Sequence, residues 1–243
     1  MRIVPVIDVL DGIVVHAVRG ERDKYSPLKS VLCKSTDPVS VAKAFKNMGF
    51  TELYIADLDA IIGKRFDPEI LRRIKNETGF AIMVDAGINT IKKARILIDA
   101  GASELVIGTE TLRDFQFVEK ALKSFRTEKV VVSIDIAENK ILSKSILIKK
   151  YKPTKFAEAL EKMGVAKAII LDLRRVGSEQ GPNLALVKEV VERTSLEVYT
   201  GGGIRGIADL EELRRIGVSK ALVATALHKG IITPEHLKSR KFL

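Results

Sequence analysis

The chain has 243 residues, 46% of them hydrophobic, so it can bury one large core, and it needs no second domain. No apolar run approaches the roughly 18 residues of a membrane span, and a single cysteine, Cys33, excludes an internal disulfide or a cysteine-built zinc site. Lys and Arg outnumber Asp and Glu by 41 to 31, a net charge of +10, yet the basic residues are dispersed along helices among glutamates, with no tryptophan or basic-aromatic run to suggest nucleic acid. A solvated surface that also draws in anionic small molecules is the expectation.

Short Val- and Ile-rich runs recur along the chain at Ile3–Ile7, Leu53–Ala56, Ala81–Val84, Leu105–Ile107, Val130–Ile134, Ala168–Leu171, Leu196–Tyr199 and Ala221–Val223. None alternates cleanly between apolar and polar, as expected of parallel strands buried on both faces. Helical periodicity fills the gaps. Asp37-Pro38 and Asp67-Pro68 predict helix starts by pairing an N-cap with proline at the first helical position. Pro153, Asn183 and Pro234 mark later starts, and Gly101 and Gly217 mark ends. Eight strands alternating with eight helices predict a single α/β domain over 1–243, a (β/α)8 barrel. Insertions are expected after strand 1 (Gly12–Gly20, hairpin-like) and after strand 5 (Asn139–Lys150). The first strand begins within two residues of Met1, leaving no room for a signal peptide, so a cytoplasmic protein is expected.

The second half repeats the first. Phe80–Leu112 aligns without a gap on Leu196–His228, with Gly87 facing Gly203, Gly101 facing Gly217 and Thr109 facing Thr225. Val6-Ile7-Asp8 likewise faces Ser133-Ile134-Asp135. The repeat predicts two half-barrels, about 1–125 and 126–243, and it falls on strand ends, where barrels keep their chemistry. Asp8 and Asp135 end strands 1 and 5, across the mouth from one another, and are expected to divide acid and base work. Asp57 and Asp172 end strands 2 and 6, where capping the next loop competes with contact to substrate. Thr200-Gly201-Gly202-Gly203-Ile204-Arg205 follows strand 7 and Ala224-Thr225 follows strand 8. Backbone amides of Gly202, Gly203, Ala224 and Thr225 can cradle a phosphate there. The matching positions of the first half are Gly87, Gly108 and Thr109, but Asp85-Ala86 puts a carboxylate and a methyl where the sister loop has two glycines.

The opening Val4-Pro5-Val6-Ile7-Asp8-Val9-Leu10-Asp11-Gly12-Ile13-Val14-Val15-His16, the Gly201-Gly202-Gly203-Ile204-Arg205 stretch and the half-barrel repeat resemble the family of ProFAR isomerase and the imidazole glycerol phosphate synthase cyclase, closest to the isomerase. The resemblance spans essentially the whole chain. It implies a cofactor-independent Amadori rearrangement of a phosphorylated aminosugar in histidine biosynthesis, with Asp8 and Asp135 as base and acid and a phosphate held by each half. His16 on the first hairpin, Asp172 at the end of strand 6 and Ser178 in the loop after it are the candidate substrate contacts.

Departures from the pattern are specific. Leu171-Asp172 stands for Thr-Asp, Arg175-Val176-Gly177-Ser178 for Arg-Asp-Gly-Thr, and Ala224-Thr225 for Gly-Arg. They keep a second reading in play, a paralogue with another phosphorylated substrate, for instance in cofactor biosynthesis. The cyclase fits less well, because its family expects a lysine on the first hairpin, where this chain has His16 and Arg19, and a glutaminase partner. A non-catalytic binding protein is disfavoured by the two aspartates. The expected partner is a small phosphorylated substrate, with no nucleic acid and no membrane, and the chain is expected as a monomer or small homo-oligomer. No cofactor is expected, and three scattered histidines offer no metal spacing. His228 and His236 are expected at the surface.

Overall fold

The computed structural model describes residues 1–242. Eight parallel strands close into a ring: β1 (Arg2–Leu10), β2 (Glu52–Asp57), β3 (Ala81–Asp85), β4 (Ala102–Gly108), β5 (Val130–Ala137), β6 (Lys167–Asp172), β7 (Glu197–Gly201) and β8 (Lys220–Val223). Each pairs with its neighbours in chain order, and β8 closes on β1 with Arg2 opposite Lys220 and Pro5 opposite Val223. All eight Val- and Ile-rich runs are strands, and the chain is a (β/α)8 barrel.

Eight principal helices follow the strands: α1 (Pro38–Asn47), α2 (Glu69–Thr78), α3 (Ile91–Asp99), α4 (Phe115–Ser124), α5 (Pro153–Lys162), α6 (Leu184–Arg193), α7 (Ile207–Ile216) and α8 (Pro234–Ser239). The cap signals act as their chemistry demands. Asp37 Oδ2 accepts from Ser40 N at 2.9 Å, Thr90 Oγ1 from Lys93 N at 3.2 Å and Asn183 Oδ1 from Leu186 N at 3.4 Å. Asp67-Pro68 differs slightly: Pro68 stays ahead of the helix, and Asp67 accepts from Glu69 N at 3.0 Å.

One residue from each strand fills the barrel interior: Val4, Tyr54, Met83, Val106, Val131, Ile169, Tyr199 and Leu222. The outward residues pack with the helices, where Phe45, Ile74, Leu97, Val118, Phe156, Val190 and Leu210 are buried. At the amino end of the strands Lys220 is buried and closes that end through Glu52 at 2.6 Å and Glu104 at 3.2 Å, so its charge is compensated. The interior layer fixes what reaches the other end. Successive side chains alternate across a strand, so counting in twos from the layer brings Asp8, Ala56, Asp85, Gly108, Asp135, Leu171, Gly201 and Ala224 to the carboxyl-end mouth.

Both insertions form. Ile13–His16 folds back antiparallel on β1, and Ser26–Pro27 pairs with it in turn, so the insertion runs past Gly20 and carries Arg22 and Tyr25 over the mouth. After β5, Lys140–Ile141 turns back on the strand through Glu138 and Asn139, both at positive φ, and the short helix Ile146–Lys149 follows. No helix among the described residues is long and apolar enough to cross a membrane.

Candidate functional site

A cleft, open at its outer side, lies over the carboxyl ends of the strands. Asp8 and Asp135 both line it, from β1 and β5, on opposite sides of the ring. Their surroundings differ. Desolvation alone pushes the Asp8 carboxyl up to about 7. Asp135 is also desolvated but is held by donors: Ser133 Oγ at 2.7 Å, Glu110 N at 3.1 Å and Thr109 Oγ1 at 3.3 Å. Burial raises it, these hydrogen bonds pull it back, and it settles at about 6. Two carboxylates that both titrate near neutrality, one loosely held and one fixed in orientation, are able to pass a proton in each direction.

At β7 and β8 the cleft is lined by backbone. Gly202, Gly203, Ala224 and Thr225 all face it. The amides of Gly202, Gly203 and Thr225 donate to no other group among the described residues. Gly202 has φ +96, and a Cβ there would lie 2.6 Å from Asp172 O, so only glycine permits this turn. Three free amides converging on one end of a cleft make a seat for an anion.

The equivalent corner of the first half is largely spent on itself. Gly87 N donates to Asp85 Oδ1 at 3.0 Å, Thr109 N to Ser133 O at 2.9 Å and Glu110 N to Asp135. Thr109 is 0% exposed, and its hydroxyl serves Asp135. Gly87, Gly108 and Thr109 do not line the cleft; Asp85 does, at 8% exposure. Desolvation, with the neighbouring Asp135 charge adding to it, pushes the Asp85 carboxyl up to about 7.

Other expected contacts are only partly met. His16 lines the cleft from the first hairpin, with burial holding its imidazole below the ordinary value. Asp172 does not reach the cleft. It stands one residue beyond inward-facing Leu171, points out of the barrel, accepts from Asn183 Nδ2 at 3.0 Å and pairs with Arg175 Nε at 3.3 Å. Ser178 is likewise turned aside, its hydroxyl donating to Arg175 O at 2.8 Å and accepting from Gln180 N at 3.2 Å, and its neighbours Gly177 and Glu179 line the cleft instead. Asp57 caps the short helix Leu58–Ile61 through Ala60 N at 3.0 Å. His228 is a correction. Expected at the surface, it is 5% exposed, lines the cleft, and bonds to Ser30 Oγ at 3.0 Å, and its burial lowers its pKa to about 4.

Sequence reasoning missed Arg22, Tyr25, Tyr54 and Glu110 as cleft residues. For Tyr54 a signal existed, the two-residue alternation in β2. Arg22 and Tyr25 sit on an irregular loop and gave none.

The closed barrel, with strand carboxylates of β1, β3 and β5 facing its mouth, defines a class of α/β barrel whose chemistry sits at the carboxyl end of the strands. Within that class the chain belongs to the histidine biosynthesis protein family, whose sequence model matches residues 2–233. It is 36% identical over 241 residues to an uncharacterized protein of Methanocaldococcus jannaschii, covering 98% of this chain and 97% of that one. It is 33% identical to 1-(5-phosphoribosyl)-5-((5-phosphoribosylamino)methylideneamino) imidazole-4-carboxamide isomerase, ProFAR isomerase, of Streptococcus thermophilus, covering 98% and 99% of the two chains. The isomerase of the same name from Lactococcus lactis is 32% identical, with 97% of each covered.

Proposed function

We propose that the protein is an isomerase of the ProFAR isomerase kind, converting an N-linked phosphorylated aldose to the corresponding aminoketose with Asp8 and Asp135 as its acid–base pair. The observation that carries the reading is the placement of these two carboxylates on β1 and β5 across one cleft, both raised toward neutrality, opposite free amides at β7 and β8.

The chemistry follows from the two environments. The oriented carboxyl of Asp135 protonates the furanose ring oxygen, the C1–O bond breaks, and the nitrogen lone pair closes a C1=N iminium. Asp8, with nothing donating to it, is the better base and removes the C2 proton. The C2–H electrons form C1=C2 and neutralise the nitrogen. Loss of the C2 hydroxyl proton and protonation at C1 then give the ketone. C1 is reduced as C2 is oxidised, so the electrons balance within the substrate and no cofactor is called for. The amides of Gly202, Gly203 and Thr225 hold a phosphate of the substrate, and His16 faces the sugar from the hairpin.

The relatives' names support the same class of reaction. Complementation tests the particular one: expression in a histidine auxotroph lacking its isomerase restores growth if the protein acts on that pathway's substrate. A second reading, the same chemistry on a different phosphorylated aminosugar, is favoured by Leu171, which puts an apolar side chain at the mouth where the resemblance calls for a threonine hydroxyl.

A further inference from the structure

The two ends of the cleft are built for different groups. At β7 and β8 three amides are free, and the lining carboxylate on that side, Glu179, is paired with Lys229. At β3 and β4 two of the three corresponding amides, those of Gly87 and Thr109, are consumed internally, the third belongs to Ala86, which is buried and does not line the cleft, and the corner presents Asp85, with Asp135 and Glu110 beside it. Its two cations are committed. Arg22 pairs with Glu110 at 2.7 Å, and Lys93 donates to Gly87 O at 3.4 Å. The Asp85 carboxylate is 8% exposed, and only one of its oxygens has a donor, Gly87 N. Its other oxygen points to the space above Gly108.

We propose that the substrate carries a single phosphate, seated on the β7–β8 amides, and that its far end is a hydrogen-bond donor without negative charge, a hydroxyl or an amine, received by Asp85. This rests on the isomerase reading and narrows its substrate. A phosphate placed at the β3–β4 corner would find no free amide on a residue that lines the cleft, Ala86 being buried behind it, and would face carboxylates. A hydroxyl or amine would find an acceptor already oriented by Gly87. The proton affinity of Asp85, raised by burial, strengthens it as an acceptor.

Calorimetric titration with inorganic phosphate reads the first half of the proposal. One phosphate per chain is expected for the wild type, none for Thr225→Asp, and a second site for Asp85→Gly, in which the Gly87 amide is released. Two sites in the wild type, a site that survives Thr225→Asp, or no binding up to about 10 mM, a concentration that still detects weak millimolar sites, would overturn it. The second half is read with ProFAR, which has a phosphoribosyl group at each end, and with the same compound dephosphorylated at one end or the other, titrated into Asp8→Asn, which leaves the Asp85 corner intact and stops turnover. Removing one of the two phosphates should tighten binding at least about tenfold and removing the other should weaken it as much, with the first effect reduced in Asp85→Asn. If both removals weaken binding, the protein holds two phosphates and the proposal is wrong. Residual turnover in Asp8→Asn would report a failure of the Asp8–Asp135 assignment, whereas the ranking of the affinities reports how many phosphates the cleft holds, so the two failures are distinguishable.

Discussion

The carboxylates of Asp85 and Asp135 lean over the same glycine: a Cβ placed on Gly108 would lie 3.0 Å from Oδ2 of each. β4 therefore supplies an empty position so that β3 and β5 can present two acids side by side. Their mutual repulsion is one reason Asp85 titrates so high. Gly108→Ala is expected to push one carboxylate aside and to lower turnover with little change in the β7–β8 phosphate affinity. Equal losses in both would show that the damage is not local.

Asp85 also makes the fold sensitive to pH. Its carboxyl is raised from an ordinary value near 3.8 to about 7, so the folded state prefers it protonated. The stability this gives is fully present below the unfolded value and is lost as pH rises through about 7. Asp85→Asn removes the penalty and keeps an acceptor for Gly87 N. Its advantage in unfolding free energy over the wild type should grow from pH 4 to pH 8, reaching about 1–4 kcal/mol. A difference independent of pH, measured by denaturant melts, would show that Asp85 is not held as described.

Gly202 tests the anion seat. With φ +96 and Asp172 O in the way of any Cβ, Gly202→Ala must strain the turn and displace its amide. A loss of about 1–3 kcal/mol in stability is expected, together with weaker phosphate binding. A variant that melts as the wild type and binds phosphate unchanged would remove this loop from the site.

Acid–base work by Asp8 and Asp135 requires one carboxyl charged and the other protonated. With the groups at about 7 and about 6, kcat/KM should trace a bell with its maximum between those values. On the acid limb Asp8 gains a proton it must not carry, and on the basic limb Asp135 loses the one it gives. A profile flat from pH 5 to pH 9 would argue against the pair.

Much of this architecture was legible in the sequence because burial on both faces leaves unbroken apolar runs, and because the repeat placed Asp8 and Asp135 at equal strand ends. What the runs did not disclose was facing. Asp172 looks equivalent to the others in one dimension, but Leu171 takes the inward position and sends Asp172 to Asn183 and Arg175. Ser178 lies in a loop whose own turn uses its hydroxyl. Thr109 matched Thr225 in the alignment, yet its hydroxyl is captured by Asp135, a contact 26 residues distant in sequence. His228 carries no periodic signal because its helix is only four residues long, and its burial against Ser30 and Phe45 is a tertiary matter. Asp85 was visible as a departure from glycine, and its consequence, the capture of the Gly87 amide, needed the structure.

The most direct measurement is turnover of Asp8→Asn and Asp135→Asn with a 5-phosphoribosylated N-glycoside the wild type converts. Asn keeps the size and hydrogen-bonding reach of Asp but does not exchange the proton. Each variant should bind the compound with near wild-type affinity and lose at least about 10²-fold in kcat. Near-normal kcat in both variants would contradict the account, whatever they bind.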